Sequence, residues 1–535
     1  MKKSDKEKRV RKNKDSKGIR LAARWKKGVF SVLFSRLGLV VIMLLIQVFM
    51  LISIWVFLGE FMAKYAVGAQ TALEILVLLI LFNSPMNSTA KLSWMLLIGA
   101  LPLFGSIFYL WTQLETGHRS IKKKLNKLNE ISGKMLPQNQ TVKEKLENVN
   151  PESAAIAEYL YNIGGSPVFD GTETEYYPVG EKKFPRMLEE LEKAEKFIFL
   201  EYFIIEEGYM WGKVLEILAR KVEQGVEVRV MYDGSCEFST LPYDYPKRLR
   251  KLGIQCKTWE PIKPVITSAY NYRDHRKILV IDGKTAFCGG INLADEYINH
   301  TVRYGYWKDT AVMLRGAAVD SFTLMFLQMW NVKEKETEQF SKYFHHYDKD
   351  IRANGFVIPY SDSPLNDHKI AERVYMDMLY TAKKYVYIMT PYLILDDEIF
   401  TALRYTAQRG VDVRLILPGI PDKKAIWALA KSHYRQLLAA GVKIYEYMPG
   451  FIHAKGFLSD DTKAVVGSIN LDYRSLYHHF ECAVYMYGSS CVKDISDDFQ
   501  KTFSECRKVT FETIKKERFA TKVTGAVLKL VAPLL

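Results

Sequence analysis

Apolar positions along this chain fall into three regimes. Between Leu37 and Trp111 they run almost continuously, between about 112 and 168 polar residues dominate, and from 169 onward short apolar runs alternate with amphipathic stretches. Leu37–Gly59 has Gln47 as its one strongly polar side chain and is long enough to span a bilayer. Leu92–Trp111 reads as a second span, closing on PLFGSIFYLW with aromatic residues where an interface belt places them. Between them, Ala66–Phe82 is interrupted by Gln70, Thr71 and Glu74 and reads as either a span or a re-entrant segment.

The third regime repeats itself. GVEVRVMYDG at Gly225–Gly234 returns as GVDVRLILPG at Gly410–Gly419, 185 positions later. Upstream, AEKFIFLEYFII (194–205) answers to AKKYVYIMTPYLI (382–394). Downstream, LGIQCKTWEP (252–261) answers to AGVKIYEYMP (440–449). Each copy reads as apolar strand, helix, apolar strand, which predicts two similar α/β halves built on mostly buried sheets. The join falls near Val332–Ser363. The chain thus divides into a basic tail (1–36), a membrane region of two to three spans (37–111), a linker (112–168), a first half (169–335), a second half (336–515) and a C-terminal segment (516–535). That last segment is amphipathic and suits either a membrane surface or core packing.

Charge sharpens the membrane reading. Of a net +15, residues Met1–Arg36 hold 11, leaving only +4 over the rest of the 535 residues. A nucleic-acid-binding domain would carry its basic patch on the folded part, so nucleic acid is not the expected partner. A basic tail leading into an apolar run is the pattern of a segment held to anionic lipid on the cytoplasmic side. Basic residues follow Trp111 as well, so an even number of spans would keep both on one side. A multi-pass membrane protein with a cytoplasmic catalytic region is the expectation. The six cysteines have no paired spacing and read as buried free thiols.

The chemistry comes from a motif that occurs twice. His275-Arg-Lys277-Ile-Leu-Val-Ile-Asp282 and His453-Ala-Lys455-Gly-Phe-Leu-Ser-Asp460 both have the form HxKxxxxD. Each is followed at the same distance by a small-residue turn and an Asn, Gly289-Gly290-Ile-Asn292 and Gly467-Ser468-Ile-Asn470. His and Lys two apart on a strand point to one face and line one pocket. The turns around Gly290 and Ser468 bring backbone close to a ligand, and Asn292 and Asn470 add uncharged amide donors. Two such halves face to face suit a phosphoryl group, with lysines neutralising oxygens and an imidazole on either side. One histidine then attacks phosphorus to form a phosphohistidine while the other handles the proton. Asp309 in WKDTAV and Glu481 in FECAV are the candidate acids that orient them. No HExxH, Walker or dinucleotide loop is present, and the expectation is neither a metal nor a cofactor.

This paired arrangement resembles the phospholipase D superfamily, and within it the bacterial cardiolipin synthases. The resembling stretches run from about Thr172 to Val509 and include LEYFIIEEG, NYRDHRKILVIDGKTAFCGGINLADEYIN, YWKDTAV, PGFIHAKGF and GSINLDYRSLYHHFE. The resemblance implies two phospholipase D-like α/β domains sharing one active site. It also implies conversion of two phosphatidylglycerols to cardiolipin and glycerol in a bacterial cell membrane, with other anionic phospholipids as further lipid partners. His275, Lys277, Asp282, His453, Lys455 and Asp460 are then the catalytic positions, with His275 the implied nucleophile. Phospholipase D hydrolysis to phosphatidic acid is the alternative with the same site. Two departures bear on substrate preference: Gly290 stands where many members carry Ser, and His478-His479 stand where an Asn is expected.

Overall fold

The computed structural model describes residues 18–21, 45, 49, 52–53, 59–113, 116–260, 272–345, 353–366 and 368–534. The expected span Leu37–Gly59 and most of the basic tail therefore lie outside the described residues. The contacts divide the chain into two compact units.

The smaller unit contains the helices Gly59–Phe82, Ser88–Ala100 and Pro102–Gln113. Val77, Leu81, Trp94, Ile98 and Tyr109 form its buried core. Asn87 caps the second helix, its side chain accepting from the Ala90 N–H at 2.8 Å. The single span expected over Leu92–Trp111 is corrected here, because the helix stops at Leu101. Pro102 excludes the residue before it from helical geometry, and Leu101 sits at φ −139° and ψ 72°. Among the described residues, no helix is long and apolar enough to cross a membrane. The multi-pass arrangement expected over 37–111 has no support in them.

The larger unit holds two sheets of the same order. In the first, the strands run Glu173–Tyr177, Ala311–Arg315, Thr285–Gly289, Lys277–Ile281, Phe197–Tyr202, Glu227–Asp233, Gln255–Trp259. In the second, the counterparts are Phe356–Asp362, His479–Tyr487, Lys463–Gly467, Gly456–Ser459, Tyr385–Met389, Asp412–Pro418 and Lys443–Tyr447, with Cys506–Lys508 added at the edge. The repeated segments found in the sequence are the parallel strands of each sheet, such as Phe197–Tyr202 beside Glu227–Asp233.

Both sheets face one shared core. Alternation along Lys277–Ile281 sends Ile278 and Val280 into that core and Leu279 and Ile281 toward the first half's own helices. Val466, Cys482, Val484 and Met486 meet them from the second sheet. The helix Val319–Asn331 joins the same core and buries twelve of its thirteen residues, which explains its apolar character on every side. Cys288 and Cys482 touch across the core with sulfurs 3.6 Å apart, and all six cysteines are free thiols.

The expected linker is largely ordered helix: Thr116–Gly133, Gln140–Val149 and Pro151–Gly164. Val142 and Leu146, like Ile156 and Leu160, recur every fourth residue, and both pairs pack into the second half's core. The C-terminal segment forms the helix Phe519–Val531, which exposes Phe519, Val523 and Val527 along one stripe.

Asp282 and Asp460 both adopt left-handed turns, with φ of 55° and 53°. The Asp282 carboxylate accepts from the N–H groups of Glu195, Lys196 and Phe197 at 2.7–2.8 Å. Asp460 does the same for Lys383, Lys384 and Tyr385, each at 2.8 Å. Each carboxylate therefore fixes the turn after one strand to the start of its neighbour. Asp282→Ala is expected to cost about 3 kcal/mol by leaving buried N–H groups unpaired. Asp460→Ala, at a more exposed turn, should cost less. Denaturant unfolding of the two variants measures both, and an equal or larger loss at Asp460 would contradict the capping account.

Candidate active site

Each histidine of the paired motifs leaves its own half and docks on the other. The two-residue strand Arg273–Asp274 pairs in parallel with His479 and Phe480, and the His275 N–H donates to the Phe480 carbonyl at 2.9 Å. In mirror fashion, Gly450–Ile452 pairs with Tyr306–Lys308, and the His453 N–H donates to the Lys308 carbonyl at 2.7 Å. The residue after each docking point carries the acid. Nδ1 of His275 lies 2.8 and 3.0 Å from the carboxylate oxygens of Glu481, and Nδ1 of His453 lies 2.6 Å from Oδ2 of Asp309. The orienting acids are therefore exchanged between halves.

These bonds decide the tautomers. Lys455 Nζ also lies 2.8 Å from His453 Nδ1, but one nitrogen cannot both donate to Asp309 and accept from an ammonium. The carboxylate is the stronger partner, so Nδ1–H points to Asp309 and Lys455 donates to the His453 carbonyl. Lys277 makes the matching bond to the His275 carbonyl. In both halves Nε2 keeps its lone pair.

Burial sets the electrostatics. His275, Lys277, His453 and Lys455 are all buried, as are Asp309 and Glu481. Burial, reinforced by Lys277 and Lys455, holds His275 well below its ordinary range. Burial and Lys455 bring His453 down to about 4, against the upward pull of Asp309. Desolvation lowers Lys277 to about 8 and Lys455 to about 7, with the two carboxylates opposing it. The site holds two neutral imidazoles between two desolvated cations, a surrounding that a bound anion relieves.

The remaining expected residues separate into those at the site and those beyond it. Ser468 donates to Glu481 and braces the acid of His275. Gly290 has no such hydroxyl, and a Cβ there would overlap the Asp309 carboxylate. The departure from Ser is therefore a packing requirement. Asn292 spends its amide within the fold, accepting from the Ile204 N–H at 3.0 Å and donating to the Tyr297 hydroxyl at 2.8 Å. Oδ1 of Asn470 is buried without a hydrogen-bond partner. Asp282 and Asp460 close the far ends of the strands that follow Lys277 and Lys455, and the structure does not bring them to the histidines.

One cation was missed in the sequence. Lys183 is buried with Phe184, Met187 and Leu191 on the inner face of the helix Gly180–Glu192. Burial lowers it to about 8, while Asp309 and Lys277 act on it from the site. Its position on the apolar stripe was the available signal.

The family model described as "Cardiolipin synthase, PLD-like domain" matches residues 187–330 and 375–505, which carry both motifs and both exchanged acids. The chain belongs to this family of enzymes. An uncharacterized protein of Streptococcus mutans is 56% identical over 85% of this chain and 99% of its own length. A cardiolipin synthase of Alkalihalophilus pseudofirmus is 32% identical, covering 89% of this chain and 95% of the relative. One from a Geobacillus species is 34% identical, covering 83% and 88%. The crystal structure of Haemophilus influenzae phosphatidylserine synthase shares the fold, with a TM-score of 0.54 at 14% identity, over 72% of this chain and 98% of that one.

Two expectations follow for this cardiolipin synthase-type site. Gly290→Ser should displace Asp309 from His453 and lower turnover by roughly tenfold or more, while Ser468→Gly should cost less; steady-state kinetics of both variants checks the order. Acid should destabilise the fold. An unfolded His453 takes a proton near its ordinary 6.5, whereas the folded one resists until about 4. Stability is thus full above about pH 6.5 and falls as the pH drops toward 4. Denaturation midpoints across that window should decline less steeply in His453→Gln than in the unmodified chain.

Proposed function

We propose that the chain transfers a phosphatidyl group from one phosphatidylglycerol to another, yielding cardiolipin and glycerol through a phosphohistidine on His275. The observation that carries this reading is the pair of imidazoles, each fixed at Nδ1 by a carboxylate of the opposite half, a tautomer that leaves the lone pair on Nε2. Nε2 of His275 attacks phosphorus as the bond to the headgroup glycerol oxygen breaks. The bound diester anion raises the proton affinity of His453, which then protonates the leaving oxygen. Lys277 and Lys455 balance the phosphoryl oxygens. In the second step neutral His453 takes the proton from a hydroxyl of the second phosphatidylglycerol, and that oxygen displaces His275.

One phosphodiester is exchanged for another, so no nucleotide is consumed. Transfer outruns hydrolysis when the acceptor lipid reaches the intermediate before water, which working at a membrane surface favours. Exposed Leu76, Leu79, Phe82, Leu92 and Leu96, together with the basic residues of 1–36, support membrane association.

The test supplies labelled phosphatidylglycerol to membranes carrying the chain, with products read by mass spectrometry. Labelled cardiolipin and free glycerol are expected, falling by about 10³-fold or more in His275→Ala and in His453→Ala. Phosphatidic acid in place of cardiolipin would make water the acceptor. Turnover that survives either substitution would overturn the two-histidine mechanism.

A further inference from the structure

One buried side chain beside the paired motifs has no part in this chemistry. His479 begins the strand His479–Tyr487, two residues before Glu481 and on the same face. Its relative exposure is 7%, and neither ring nitrogen has a hydrogen-bond partner. Nδ1 lies 3.6 Å from Oε1 of Glu481, too far for a hydrogen bond, and its ring centre lies 5.2 Å from that of His275. An imidazole buried with both nitrogens unpaired is destabilising unless something else uses them.

The neighbours supply a use. One ring nitrogen from each of His275 and His479 and a carboxylate oxygen of Glu481 lie within 4.8 Å of one another, all buried. Two imidazoles and a carboxylate are the donor set of a three-ligand zinc site with one position left open. Calcium and magnesium prefer all-oxygen surroundings, so the set selects a borderline transition ion.

We propose that His275, His479 and Glu481 form a binding site for a divalent ion of the zinc class, and that filling it switches the enzyme off. The inhibition rests on the reaction proposed above and follows from the tautomer. An ion bound at Nδ1 of His275 takes the lone pair of that nitrogen, so the ring's one proton moves from Nδ1 to Nε2. No proton is lost, but Nε2 no longer has a free pair with which to attack phosphorus. The carboxylate of Glu481 turns from the imidazole to the ion, and His479 completes the set. Lys277 and Lys455 repel a cation here, which weakens binding relative to an isolated set of the same ligands.

The test uses the full chain in detergent micelles, stripped with a chelator and titrated with Co²⁺ as a spectroscopic stand-in. One Co²⁺ per chain should bind with the intense visible bands of a four-coordinate ion and be displaced by Zn²⁺. The bands should vanish in His479→Asn and in His275→Ala. In the lipid assay Zn²⁺ should inhibit the unmodified chain reversibly. His479→Asn should need roughly tenfold or more Zn²⁺ for the same fractional inhibition, each chain read against its own metal-free turnover. His479→Gln serves if the Asn variant melts early. The same Co²⁺ spectrum or the same Zn²⁺ sensitivity in the folded His479 variant would overturn the proposal. Because the Co²⁺ titration needs no turnover, it decides the site even if the chain makes no cardiolipin.

Discussion

Everything at the centre of this molecule depends on two hydrogen bonds that cross it. Glu481 holds His275 and Asp309 holds His453, and in each pair the acid and the base come from different halves. Neither half alone can orient its own histidine. The short strands Arg273–Asp274 and Gly450–Ile452 exist to make the crossing, since each pairs with a strand of the other half just before its histidine. A shared core beneath them, with Cys288 against Cys482, keeps both crossings in register. The duplication in the sequence thus yields one site, whose halves are conditions for each other.

The second constraint is electrostatic. Burying Lys277, Lys455 and Lys183 near one another is unfavourable in the empty protein, and their lowered proton affinities express that strain. Asp309 and Glu481 offset part of it, but each is committed to an imidazole. The remaining imbalance is relieved when a phosphodiester enters, so part of the cost of an electropositive pocket returns as affinity for an anion. Keeping both imidazoles neutral until then leaves both Nε2 lone pairs available. The same neutral state suits a soft cation at His275 and His479.

Much of this was legible in the sequence, for identifiable reasons. A period of two puts His275 and Lys277 on one face, and a second copy with the same spacing falls in the same kind of strand, so the chemical groups could be read directly. Spacing carries no information about which half an acid will serve, so the exchange of Glu481 and Asp309 had to come from the fold. Asp282 and Asp460 belong to the motif by spacing but serve strand starts, because a carboxylate after a left-handed turn is well placed to accept backbone N–H groups. Hydropathy alone made one span of Leu92–Trp111 and overlooked Leu101–Pro102, where the proline breaks the helix. The helices within 112–168 carry few apolar residues, which is why the stretch reads as a polar, partly helical linker. Those few, such as Leu146 and Leu160, recur at helical spacing and are fully buried.

The two halves are similar but not equivalent, and the difference lies in how each acid is held. Glu481 is braced by the Ser468 hydroxyl, while Asp309 has Gly290 where that hydroxyl would stand and accepts instead from the Thr310 N–H at 2.8 Å. Each carboxylate thus has a second anchor beside its imidazole, a side-chain hydroxyl for Glu481 and a backbone N–H for Asp309. A hydroxyl is lost with its side chain, whereas a backbone N–H survives any substitution but proline, so the two acids answer differently to changes around them. The same orienting bond to an imidazole is therefore reached by two routes, one written in a side chain and one in the main chain.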